Sequence, residues 1–134
     1  MKAQNKIPKD FDKWNSEKKR LDVAPQTSFC HTREIWWCAL GVNVGFEQHS
    51  TSDDFSRPII VIRRFTSDMF WGVPLTTKIR DDVPFRVRIN VAGVLNDAMI
   101  LQMRAFDRKR LRRKLGVVSR SDFKKIINLI KRVI

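Results

Sequence analysis

From Pro84 to Val91 the chain reads PFRVRINV, in which the apolar residues Phe85, Val87, Ile89 and Val91 alternate with Arg86, Arg88 and Asn90. Strand side chains point to opposite faces with a period of two, so this pattern predicts a strand with one dry face and one wet face. Other stretches of strand length lie on either side of it. REIWWCAL (Arg33–Leu40) and PIIVIRRF (Pro58–Phe65) are rich in β-branched and aromatic residues, and Pro58 sits where a strand can begin without donating to a ladder. MFWGVPL (Met69–Leu75) follows a turn signal, TSD, and AMILQM (Ala98–Met103) makes a fifth strand, with LGVV (Leu115–Val118) as a short sixth.

Helical signals flank these strands. Pro8 at a first helical position, with Phe11, Trp14 and Leu21 on one stripe and Ile7 ahead of it, predicts an N-terminal amphipathic helix of about four turns. Asp107 is placed to cap a short basic helical turn, RKRLRRK (Arg108–Lys114), and Ser119 with Asp122 resembles a capping box. The helix opened by that box carries Phe123, Ile126, Ile127, Ile130 and Ile134 at helical spacing, a stripe read as core. The sum is a mainly β protein with helices (α+β): a small antiparallel barrel, closed or half closed, with a C-terminal helix and an N-terminal helical extension over residues 1–32.

A chain of 134 residues with nine Phe and four Trp can bury one real core. Its formal net charge is +13, and residues 104–134 hold twelve Lys/Arg against two Asp, a net of +10. Such a pole attracts nucleic acid, an anionic membrane surface or an acidic protein. No apolar run is long enough to span a membrane. The start, MKAQNKIPKD, lacks a hydrophobic signal region, so a cytoplasmic protein without a membrane partner is the expectation. Cys30 and Cys38 have neither metal-site spacing nor the density of a secreted disulfide scaffold, and both read as reduced, buried side chains. Gly-rich phosphate loops, paired His/Glu zinc spacing and a nucleophile elbow are all missing, so no metal or nucleotide cofactor is expected. His31 and His49 fall in polar segments and read as exposed loop residues.

Singly, the remaining polar residues are unremarkable: Arg57 as a strand-edge cation, Glu47 as a loop acid, Thr76 and Thr77 as a strand end, Gln102 as a polar break in an apolar run. In order, however, EIWW, the GFEQ loop, RPIIVI, VPLTT, ILQMRAFDRKRLRRKLG and a closing helix resemble the MazF/PemK toxins of bacterial toxin-antitoxin modules. The resemblance covers residues 33–134. It implies an SH3-like barrel with a C-terminal helix, a homodimer, metal-independent cleavage of single-stranded RNA, and restraint by a cognate acidic antitoxin. By the same resemblance Arg57, Thr76 and Glu47 are the catalytic set, and Gln48, Thr77, Lys78, Gln102 and Arg104 contact RNA. Glu47 is the candidate general base, or else the group that orients Arg57. The basic run from Arg104 to Lys114 is expected to meet RNA phosphates or the acidic antitoxin. Eight residues, HSTSDDFS, separate Gln48 from Arg57, more than in many relatives, so no base preference is carried over.

Two other functions stay open. One, implied by the resemblance through its shared barrel, is a toxin that acts on DNA gyrase and cuts nothing. The other is a non-catalytic nucleic-acid-binding module using Trp36, Trp37, Phe70 and Trp71 as stacking surfaces, although core packing is the simpler role for at least half of these aromatics.

Overall fold

The structure is a computed structural model, and it describes residues 10–23, 28–41 and 56–134. Within them the order is α1 (Phe11–Val23), β1 (Glu34–Ala39), β2 (Ser56–Arg64), β3 (Met69–Thr76), β4 (Arg86–Val91), β5 (Val94–Met99), β6 (Arg104–Asp107), β7 (Leu111–Val117) and α2 (Arg120–Val133). All seven strands form one antiparallel sheet in the order β4-β5-β3-β2-β1-β7, with β6 also paired to β3. The mainly β architecture with a C-terminal helix is the one expected.

The sheet buries both faces. On one, Ile35, Ile60, Val73, Leu75 and Ile89 pack under Ile126 and Ile130 of α2. On the other, Trp36, Cys38, Ile59, Val61, Phe70 and Phe106 enclose a second cluster with Cys30 and Leu111 as the sheet curls. Cys30 and Cys38 are both free thiols, and burial pushes the Cys30 thiol up to about 11. Trp36 and Phe70 are therefore core residues, whereas Trp71 remains 44% exposed.

Several local expectations are corrected. Phe85 does not join the dry face of β4: it precedes the strand with φ 59° and is exposed. The fifth strand begins earlier, at Val94, because Ala92 and Gly93, both at positive φ, make the two-residue hairpin turn favoured by strand twist. It also ends earlier: Ile100–Gln102 form a 3-10 turn instead of strand. Asp107 does cap a turn, accepting from Lys109 N at 2.8 Å, but that turn is only Arg108–Arg110. Leu111–Val117 then continue as β7, because Leu111 is buried against β1 and pairs with Cys38. At α2 half of the capping box forms: Ser119 accepts from Asp122 N at 3.1 Å, while the Asp122 carboxylate accepts from Asn90 N of β4. Ile134 lies beyond the packed stripe and is exposed.

The N-terminal helix begins with Asp10, whose carboxylate accepts from Lys13 N, while Pro8 and Ile7 lie outside the described residues. Trp14 and Leu21 bury against Ala39. Gly41 is at φ +81°, and a Cβ there would collide with the Trp14 ring, so the close approach requires glycine. The basic run after β6 is what α1 docks on. Arg112 pairs with Glu17 at 2.8 Å, Lys109 donates to the Asp22 carbonyl, and Arg110 lies 5.7 Å from the Trp14 ring centre while donating to the Ala39 carbonyl. Part of the charge expected to face a polyanion is thus spent inside the fold.

Glu34 opens β1 and gathers a small buried network. Burial alone would raise its pKa, but donors from Lys114 (2.8 Å), Trp36 Nε1 (3.0 Å) and His31 N (2.7 Å) outweigh that and hold the carboxyl below its usual value. A carboxylate with a depressed folded pKa stabilises the fold above its unfolded value, near pH 4.3, and that contribution is lost as pH falls through the folded value. Glu34→Ala should therefore cost about 1–3 kcal/mol near neutrality, chiefly by orphaning the buried Trp36 indole N–H, and less in acid. Urea midpoints at the two pH values would show it; an equal loss in acid would contradict the linkage.

Candidate active site

Arg57 is the second residue of β2 and pairs with Cys38 on β1. The β2–β3 ladder runs through Ile60↔Val73 and Ile59↔Pro74. Continuing that register by two residues sets Arg57 opposite Thr76, and directly opposed residues on an antiparallel pair share a face. The paired proline shapes the spot. Pro58 has no N–H to offer the facing strand, and the Leu75 carbonyl is met instead by Arg57 Nη1 at 3.2 Å. Arg57 is half-buried, and that burial lowers its pKa. An arginine starts so far above neutrality that it keeps its charge.

Thr76 closes β3. Its Oγ1 accepts from Lys78 N at 3.2 Å, a short local turn that fixes the hydroxyl and leaves its O–H free to donate elsewhere. Thr77 and Lys78 follow immediately and are exposed. Thr76 pairs in turn with Asp97 on β5, and Asp97 with Arg88 on β4. One cross-strand row therefore reads Arg57, Thr76, Asp97, Arg88.

The third and fourth members of that row were not singled out in the sequence. Asp97 is 1% exposed. Its carboxylate accepts from Arg80 N at 3.0 Å, Arg86 Nη1 at 3.4 Å and Arg88 Nε at 3.3 Å. Arg86 also donates to the Lys78 carbonyl at 3.1 Å, so the network straps the segment after Thr76 to β4 and β5. The alternation of PFRVRINV already put Arg86 and Arg88 on the wet face; Asp97 was missed because β5 was expected to begin at Ala98.

The other sequence candidates divide. Arg104 starts β6 opposite Gly72, on the same face as Thr76 but four residues along β3, about 13 Å away at ~3.3 Å per residue. Its guanidinium lies 4.9 Å from the Phe106 ring centre. Gln102 ends the 3-10 turn and is half-buried. Glu47, Gln48 and His49 fall outside the described residues. His31 is exposed in a loop, its ring 3.6 Å from Glu34. Among the described residues no three His, Cys, Asp or Glu side chains converge as a metal cluster would need, and no helix is long and apolar enough to cross a membrane.

Comparison with solved structures supports the architecture. Crystalline MazF from Deinococcus radiodurans superposes with a TM-score of 0.66 at 17% identity, over 80% of this chain and 97% of that one. An endoribonuclease from a mycobacterial species matches at 0.59 and 16% identity, over 81% and 93%. A mycobacterial endoribonuclease in complex with its cognate antitoxin matches at 0.56 and 14%, over 79% and 93%. At these identities the likeness is one of fold. No curated protein sequence matches the chain. A family model, described as PemK-like, MazF-like toxin of type II toxin-antitoxin system, matches residues 31–134. That match spans every strand of the sheet as well as α2, and the chain belongs to the PemK-like, MazF-like toxin family.

Proposed function

We propose that the chain is an endoribonuclease toxin that cuts single-stranded RNA without a metal, by attack of the 2′-hydroxyl on the adjoining phosphorus. What supports this reading is the β2–β3 register, which, continued two residues past Ile59↔Pro74, brings Arg57 and Thr76 opposite each other on one face at the open end of the ladder.

RNA supplies its own nucleophile, so the protein must align the 2′-oxygen with the leaving 5′-oxygen and stabilise the extra charge on the pentavalent phosphorane. A guanidinium does this with two parallel, charge-assisted hydrogen bonds to phosphate oxygens. Partial burial sharpens the effect, because a cation in a less polar setting is poorly screened. Thr76, its oxygen already engaged by Lys78 N, has an O–H to give to a third oxygen. Neither side chain is a base. Glu47 is the group we assign to removing the 2′-proton or to orienting Arg57, and Gln48, Thr77, Lys78, Gln102 and Arg104 to contacting the RNA strand.

The same reading makes a second copy of the chain and an acidic antitoxin its partners. The net charge of +13 favours an acidic partner, and a similar fold is found in complex with a cognate antitoxin.

Cleavage of a mixed-sequence RNA in excess EDTA should proceed at the untreated rate and leave 5′-hydroxyl ends with cyclic or 3′-phosphate partners. End-labelling before and after phosphatase treatment reads this out. Products with 5′-phosphates, or no scission at all, would overturn the reading, the latter favouring a toxin that binds a protein target.

A further inference from the structure

Across the sheet from Arg57, the row through Thr76 and Asp97 ends on Arg88, three strand spacings or about 14 Å away. Arg88 is held from two sides. Its Nε donates to buried Asp97 at 3.3 Å, and its Nη2 to Asp81 at 2.7 Å. The two acids differ sharply, since the Asp97 side chain is 2% exposed and that of Asp81 is 88% exposed. Asp97 is also tied by Arg80 N and by Arg86, so it is a fixed anchor. Two guanidiniums around the one buried carboxylate leave an excess positive charge, and Asp81 balances it from solvent. An exposed ion pair of this kind contributes little and exchanges readily.

We propose that Arg88 is a second phosphate-binding residue for single-stranded RNA, positioned by Asp97 and covered by Asp81, which an RNA phosphate displaces. This rests on the reading of the chain as an RNA-cutting enzyme and extends it by one contact. The exchange swaps one oxyanion for another on the same Nη2, with no proton moved and no change at Asp97. A groove of about 660 Å3 between β4 and α2 continues from Arg86 and Arg88 past Lys125, Asn128 and Arg132. A strand lying along the row from Arg57 to Arg88 thus meets further positive charge beyond it.

The probe is a fluorescein-labelled 2′-O-methyl oligoribonucleotide of mixed sequence, whose blocked 2′-oxygens cannot attack, titrated by anisotropy over a range of salt. Each phosphate contact on a single strand steepens the log–log salt dependence by about 0.7. Arg88→Gln should flatten the slope by about that amount. Asp81→Asn, which removes the competitor and touches nothing buried, should bind more tightly than wild type at low salt. Asp12→Asn on α1 makes the same charge change away from the pair and should leave affinity and slope unaltered. Should Arg88→Gln fail to fold, Asp81→Asn decides alone. If unmodified RNA is cut but Arg88→Gln keeps the wild-type slope and Asp81→Asn binds no more tightly, the contact falls and the nuclease reading stands. If the probe shows both expected changes but unmodified RNA is never cut, the nuclease reading falls and the phosphate contact stands.

Discussion

An RNA carrying deoxyribose at the single nucleotide 5′ to the cut should stay intact under conditions that cleave its all-ribose counterpart to completion. The 2′-oxygen is the attacking atom in the mechanism proposed, and hydrogen in its place removes the nucleophile without removing any phosphate. Binding should hardly change, since Arg57, Thr76 and Arg88 are assigned to phosphate oxygens, and contacts to phosphates carry most non-specific affinity. Loss of cleavage with retained binding therefore separates chemistry from recognition. Scission at the deoxy position would mean that water is the attacking group, and that the proton-transfer scheme around Glu47 is misassigned.

Arg57→Ala should lower the cleavage rate by about 10²-fold to 10³-fold, by analogy with deleting one preorganised donor from an oxyanion site. The same change also removes the bond to the Leu75 carbonyl, at a cost of about 1 kcal/mol. A thermal melt must accompany the rate, and a folded, inactive variant is the expected outcome. Arg57→Lys keeps the charge but lacks the planar fork, so it should recover only part of the loss. Thr76→Ala removes one neutral hydroxyl and should cost less than Arg57→Ala. Because the two act on one phosphate, the double variant should fall little below Arg57→Ala alone. Independent, multiplicative losses would mean that Arg57 and Thr76 serve different steps.

Alternation and β-branched content made most strands legible, because burial on a pleated surface imposes a period that local composition must follow. PIIVIRRF, MFWGVPL and PFRVRINV each locate a strand, although β2 begins earlier, at Ser56, so that Pro58 lies inside it, and β4 begins later, at Arg86. The stretch from Val94 to Val117 was harder, for a physical reason. Asn96 and Asp97 are buried polar residues, satisfied by the Val94 carbonyl and by Arg80, Arg86 and Arg88, and a strand that buries such groups has no apolar signature. Likewise RKRLRRK has helical composition, yet only Arg108–Arg110 make a helical turn, and Cys38 and its neighbours on β1 recruit Leu111–Lys114 into an edge strand: tertiary pairing overrides local propensity. At the site, Arg57 and Thr76 were readable only through an ordered series of motifs, since each is ordinary alone. Their alignment depends on a register between β2 and β3 that no single segment encodes. Asp97 and the Asp81–Arg88 pair were illegible because their partners lie on separate strands and loops.

The proposed chemistry requires Arg57, and single-turnover cleavage of one end-labelled RNA by three proteins decides whether it does. Wild type and the His31→Ala, His49→Ala double variant should cut at similar rates, since the mechanism assigns neither imidazole a role and His31 is exposed beside Glu34. Arg57→Ala, folded by its melt, should be slower by at least about 10²-fold. If Arg57→Ala cuts at the wild-type rate while the histidine variant is inactive, the reaction belongs to an imidazole pair, and the site at the end of β2 and β3 is not where RNA is cut.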